Sequence, residues 1–138
     1  MKYLYILIII LSISCIDFNK KERMEIKRLI EEFPHIPRDS TFKGVVDTTF
    51  MSTLVYRASL YIVLKDGEKF STSATSMPKD VFGRWEIPSY ALIDFLQKGD
   101  TIYKPKDKDS LYVLKYNLRF GYHLITKEFS DSVHNMRW

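Results

Sequence analysis

The chain opens on an unbroken apolar run, Leu4 to Leu11 (LYILIIIL), and then turns amphipathic. In residues 22–33 (ERMEIKRLIEEF), Ile26, Leu29, Ile30 and Phe33 fall at i, i+3, i+4 and i+7, which is one face of an α-helix. Glu22 suits the positive end of the helix dipole. The residue before Pro34 is pushed out of the α region, so the helix must stop there. Its apolar face is short and its charges are mixed, which fits a cap packed on the domain better than a helix lying on a membrane. Residues 34–41 (PHIPRDST) form an extended connector with two prolines.

From Phe42 the pattern is that of strands. A first run opens at Gly44-Val45-Val46 and reaches about Met51. Arg57 to Leu64 (RASLYIVL) is dense in β-branched and aromatic residues and apolar on both faces from Leu60 to Leu64, which predicts a strand lying centrally in the sheet. Lys65-Asp66-Gly67-Glu68 predicts a two-residue Asp-Gly hairpin turn, with Lys69 to Thr75 returning as the partner. Residues 76–87 (SMPKDVFGRWEI) read as loop around Pro78 and Gly83. Pro88 to Lys98 reads as a helix, with Pro88 in its first turn, Leu92, Phe95 and Leu96 on one face and Gly99 at its C-terminal cap. Thr101 to Lys104, Leu111 to Tyr116 and Arg119 to Thr126 are short strands. A polar loop, Pro105 to Ser110, separates the first two, and a tight turn at Tyr116 to Arg119 the others, since asparagine tolerates αL. Residues 127–138 (KEFSDSVHNMRW) lack periodicity and read as a frayed tail.

Helix, three strands, helix, then two or three strands predicts a mainly β (α+β) domain. The expected form is a small antiparallel sheet or partly open barrel, with an N-terminal helix and one inserted helix. Three strands, a helix and two strands is also the OB-fold order, which serves as an analogy.

The two ends of the first apolar run carry the clearest functional signal. Lys2 precedes it, and Ser12-Ile13-Ser14 leads from it to Cys15, the single cysteine. A charged start, an apolar run too short to span a bilayer and small residues after it make a secretory signal. With Ser14 and Cys15 at its cleavage point, the segment resembles a bacterial lipoprotein signal. That resemblance implies cleavage before Cys15 and acylation of Cys15, palmitate included. Several acyl chains give firm attachment, at about 0.8 kcal/mol per buried CH₂. Asp17 is not adjacent to Cys15, where an aspartate would favour inner-membrane retention. The expected address is therefore the outer membrane of a Gram-negative cell, facing periplasm or cell surface. The organisation follows: 1–14 signal peptide, 15–41 lipidated cysteine, tether, helix and connector, 42–126 β-rich domain, 127–138 tail.

Composition narrows the partners. No disulfide forms inside a mature chain with one cysteine, so the domain depends on its apolar core. The formal charge is +4, and loss of Lys2 leaves 20 basic against 17 acidic side chains, interleaved rather than striped. Such a balance does not point to nucleic acid.

Lys43-Gly44-Val45-Val46 and Gly99-Asp100-Thr101-Ile102-Tyr103-Lys104, followed by Leu111-Tyr112-Val113, form a second pattern. It resembles small secreted proteins and lipoproteins of Bacteroidetes-type bacteria, and implies a β-rich domain with no assigned activity. Read physically, Gly99 supplies a positive φ and Asp100 an Asx-type cap, while Lys104 is expected exposed at the strand end.

Chemistry-bearing residues do not gather. His35, His123 and His134 are far apart, so no metal or cofactor is expected. There is no nucleophile elbow, Walker loop or dinucleotide fingerprint, and Ser132 near His134 lies in the expected tail, so the chain reads as no enzyme. Aromatics are the remaining lead. Phe82, Trp85 and Tyr90 flank the loop before the second helix, while Tyr103, Tyr112, Tyr116, Tyr122 and Trp138 crowd the C-terminal half. They either fill the core or form a surface that meets a glycan, peptide or protein. Phe82, Trp85, Tyr90, Tyr103 and Tyr112 are the candidate binding residues. The resulting expectation is a membrane-anchored lipoprotein with a small binding or accessory domain for an envelope protein or glycan. The alternatives are a structural subunit of an envelope complex or an enzyme with a scattered site.

Overall fold

The computed structural model describes residues 19–54, 59–76, 78–82 and 90–135, with the backbone alone at 78–82 and 133–135. The expected N-terminal helix, α1, runs over residues 19–32. Strands β1 (Phe42–Ser52), β2 (Ser59–Leu64), β3 (Lys69–Ser73) and β4 (Pro78–Phe82) follow. Helix α2 (Leu92–Phe95), strands β5 (Thr101–Lys104), β6 (Ser110–Lys115) and β7 (Leu118–His123), and helix α3 (Lys127–Asn135) complete the order. The fold is mainly β: one seven-stranded sheet in the order β3-β2-β1-β5-β6-β7-β4. Every strand pair is antiparallel.

Connectivity forces this sheet to curl. β3 and β4 stand at its opposite ends, yet only residues 74–77 join them. That link reaches about 18 Å at most, whereas six strand spacings in a flat sheet cover about 29 Å. The sheet therefore bends until its ends approach. Among the described residues β3 and β4 do not pair, so the result is an open, curved sheet and not a closed barrel. Part of the bend sits in β1. Its first half pairs with β5 and its second with β2, and the register shifts between Val46 and Thr48. Such a bulge adds local twist and lets one strand serve both halves of the sheet.

The concave side holds the core. Val46, Leu60, Ile62, Leu64, Phe70, Ile102, Leu111, Val113, Phe120 and Tyr122 meet there, with Leu92, Phe95 and Leu96 from α2 and its C-cap. β2 is buried on both faces, as its sequence predicts. Leu60, Ile62 and Leu64 turn inward, while Tyr61 turns outward against Leu29 of α1 and Phe33 just past its end. Phe33 meets the Tyr61 ring edge-on at 5.2 Å and that of Phe50 at 5.3 Å. So α1 caps the domain through its apolar face. No described helix is long and apolar enough to cross a membrane.

Several expectations are corrected. Pro78–Phe82 is a strand, not a loop, because pairing with β7 satisfies its backbone. There are thus four strands before α2 and three after it, which departs from the OB-fold order. Among the described residues the second helix covers only Leu92–Phe95, with Ala91 extended ahead of it, and Pro88 lies outside the described residues. Asp100 Oδ2 takes the Gln97 N–H at 2.9 Å and Lys115 Nζ donates to the Phe95 carbonyl at 2.9 Å, so side chains end the helix early. The β2–β3 hairpin has three loop residues, not two. Val63 pairs with Lys69, the Leu64 N–H bonds Glu68 O, and Gly67 takes φ +91° as the left-handed third residue. At the β6–β7 hairpin Tyr116 joins Asn117 at positive φ (54° and 61°), the signature of a type I′ turn. Lys127–Asn135 is a helix rather than a frayed tail. Its first turn is held by the Lys127 N–H on Ile36 O at 3.1 Å, by the Phe129 N–H on Thr126 Oγ1 at 3.4 Å, and by Glu128 Oε2 accepting the Arg38 N–H at 3.0 Å.

Lys104 reverses its expectation most fully. Strand alternation turns it inward beside Ile102, and it is 0% exposed. Its ammonium donates to the carbonyls of Arg38 (2.7 Å), Ser40 (2.8 Å) and Pro105 (3.1 Å). Burial pushes its pKa down, against the opposing pull of Asp109, Asp107, Asp39 and Glu128. The residue fastens the 34–41 connector to the sheet.

Candidate functional site

Of the residues singled out in the sequence, the fold joins Tyr103 and Tyr112. They lie directly opposite each other on β5 and β6. Ile102 and Val113, their neighbours in the strands, point into the core, so alternation turns both tyrosines to the outer face. Their rings stack at 6.3 Å between centroids, 23° apart in plane, and both are half-buried. Across the next strand Gly121 faces Tyr112 and adds no side chain. The guanidinium of Arg119, two positions away on the same face of β7, lies 4.8 Å from the Tyr112 ring centroid. Two stacked phenol rings with a guanidinium beside them make a small amphipathic platform. Arg119 was not singled out in the sequence; its position two residues from Gly121 in a hairpin partner was the available signal.

The other candidates do not join this platform. Tyr90 is 58% exposed and shares no ring contact with the pair among the described residues. Its carbonyl accepts the Tyr122 hydroxyl at 3.3 Å. Phe82 contributes backbone to β4, opposite Arg119. Its side chain, all of Trp85, and Cys15 with the whole signal segment lie outside the described residues. Tyr122 is a core residue, and burial raises its pKa strongly.

A second feature, this one concave, has no signature in the sequence. A cleft of about 310 Å³ opens between α1, the outer face of β2 and β3, and α3. Leu29, Ile30 and Phe33 wall one side, Tyr61, Ser59 and Ser71 lie on the strands, and Lys127, Ser130 and Asp131 come from α3. His35 also lines it, with Nδ1 3.3 Å from Ser71 Oγ. The pair has no base-catalysed geometry, because the Ser71 hydroxyl donates to the Phe33 carbonyl at 2.9 Å. Among the described residues no group of three or more His, Cys, Asp or Glu is placed to hold a metal ion.

The edge of β3 is covered. The Ser71 N–H bonds Pro34 O at 3.3 Å, His35 bridges to Ser71 in parallel, and the Ile125 N–H bonds Thr72 Oγ1 at 3.2 Å. That end of the sheet is therefore covered at its middle, at Ser71 and Thr72.

Comparison with known proteins adds no relative: no family model, no curated protein and no solved structure matches the chain.

Proposed function

We propose that this protein is a lipid-tethered binding module of the bacterial envelope. Acyl chains on Cys15 hold it in the outer membrane, and the β-rich domain contacts an envelope protein or glycan. The observation that supports the contact is the Tyr103–Tyr112 stack with Arg119 across it, on the outer face of the sheet. Stacked tyrosine rings with a guanidinium beside them combine flat apolar area with polar edges, the chemistry of interface anchors and of sugar-ring stacking. The tether rests on the sequence of the first fifteen residues. Strand addition as a structural subunit is the weaker reading, because the connector and Ile125 already bond the middle of the β3 edge.

Metabolic labelling with palmitate tests the tether. The wild-type chain should carry label and sediment with membranes, and Cys15→Ser should lose both. Equal fractionation of the two forms, without label in either, would remove the anchor from the proposal.

A further inference from the structure

The cleft between α1 and α3 is chemically two-sided. Its α1 wall is apolar, and Ile30 stands 51% exposed there, a large aliphatic side chain that the domain itself leaves in water. Its α3 wall is polar. Lys127 Nζ lies 2.6 Å from Asp131 Oδ2, one helical turn away, with 61% and 57% of the side chains exposed. The pair presents both signs of charge side by side at the mouth. Asp131 holds Lys127 above its ordinary pKa, so the ammonium persists through neutral pH. The ammonium has three donors and the carboxylate two oxygens, and their mutual bond uses one of each. Ser130 on the same helix, with Ser59 and Ser71 on the strands, adds hydroxyl groups to the lining.

We infer that this cleft binds a small zwitterion with an apolar body, a free aromatic or aliphatic α-amino acid. The side chain would lie along Leu29, Ile30 and Phe33 over Tyr61, the carboxylate would meet Lys127, and the ammonium would meet Asp131. Charge complementarity selects this class. A singly charged ligand meets its counter-ion and, a few ångströms away, a like charge, whereas a zwitterion satisfies both. The size agrees, since about 310 Å³ lies at the lower end of the roughly 300–1,000 Å³ of small-ligand clefts. The inference is independent of the tether and of the Tyr103–Tyr112 platform.

The test is saturation-transfer NMR on the full chain in lipid nanodiscs, with L-phenylalanine as the probe. 3-Phenylpropionate and phenethylamine, each lacking one of the charged groups, are the comparison ligands. L-phenylalanine should saturate, and the two analogues should bind at least tenfold more weakly. Lys127→Met and Asp131→Asn, both at exposed positions, should each weaken L-phenylalanine at least fivefold and narrow its advantage over the analogues. Ser130→Trp, checked for an unchanged unfolding midpoint, should block binding, and Tyr103→Ala should leave it intact. Equal binding of all three ligands would overturn the zwitterion assignment. Absence of saturable binding at 10 mM, or binding untouched by Ser130→Trp, would overturn the site.

Discussion

Lys115 Nζ lies 3.0 Å from Asp100 Oδ2, with only 10% and 12% of the two side chains exposed. The same ammonium caps the C-terminal carbonyl of Phe95 at 2.9 Å and sits 4.7 Å over its ring. One ion pair thus locks the end of α2, the turn at Gly99 and the strand β6. Removing one partner of an enclosed pair strands the other charge. Lys115→Met should lower stability by about 3 kcal/mol in urea unfolding. The double variant Lys115→Met with Asp100→Asn should cost less than the two single losses together, because neither charge is left unpaired. A loss below about 1 kcal/mol for Lys115→Met would show that water replaces the pair.

Gly44 of β1 faces the side chain of Leu64 on β2, which leaves no room for a Cβ there. A Cβ on Gly44 would fall 2.5 Å from Leu64 Cδ1, and Leu64 is 1% exposed in a packed core. Gly44→Ala should cost about 1–3 kcal/mol by overpacking. Leu64→Ala should cost about 2–5 kcal/mol by leaving a cavity. Combined, they should cost less than the total of the two, since the smaller side chain removes the clash. Thermal unfolding of the four proteins checks the coupling.

Alkaline pH should unfold the domain through its buried phenols. Burial raises the pKa of Tyr122 strongly and that of Tyr61 in the same direction. Above pH about 10 the unfolded chain loses these protons while the folded one keeps them. Stability is therefore held below that pH and falls above it, by up to about 1.4 kcal/mol per pH unit for each group. Tyr122→Phe removes only a 3.3 Å hydrogen bond to Tyr90 O, so its neutral-pH cost should stay within about 1 kcal/mol. Its alkaline decline should be shallower than that of the wild-type chain in denaturant titrations between pH 9 and 11.

What the sequence made legible was local. The face of α1 and the double burial of β2 followed from spacing, because neighbours in the chain decide those patterns. The strand Pro78–Phe82 did not, because its proline and charged residues adopt the extended state through β7, some forty residues on. Lys104 was misplaced because a buried ammonium needs acceptors, and those come from Arg38 and Ser40 in a distant connector. The Tyr103–Tyr112 pair was half legible: each tyrosine stood out, but only the hairpin register brought the rings together. The cleft was illegible, since its walls come from residues 29–35, 59–71 and 127–131. Its α3 wall, moreover, lay in a segment without visible periodicity.

The central claim is that the outer face of β5 and β6 meets a partner in the envelope. Its most direct test is site-specific photo-crosslinking in intact cells. A photoreactive phenylalanine analogue replaces Tyr103, Tyr112 or, as a control, Lys65 in the exposed β2–β3 hairpin. The account predicts one discrete adduct, protein or glycan, from positions 103 and 112. That adduct should be weakened by Arg119→Ala and absent at position 65. Equal, diffuse or absent adducts at all three positions would contradict it.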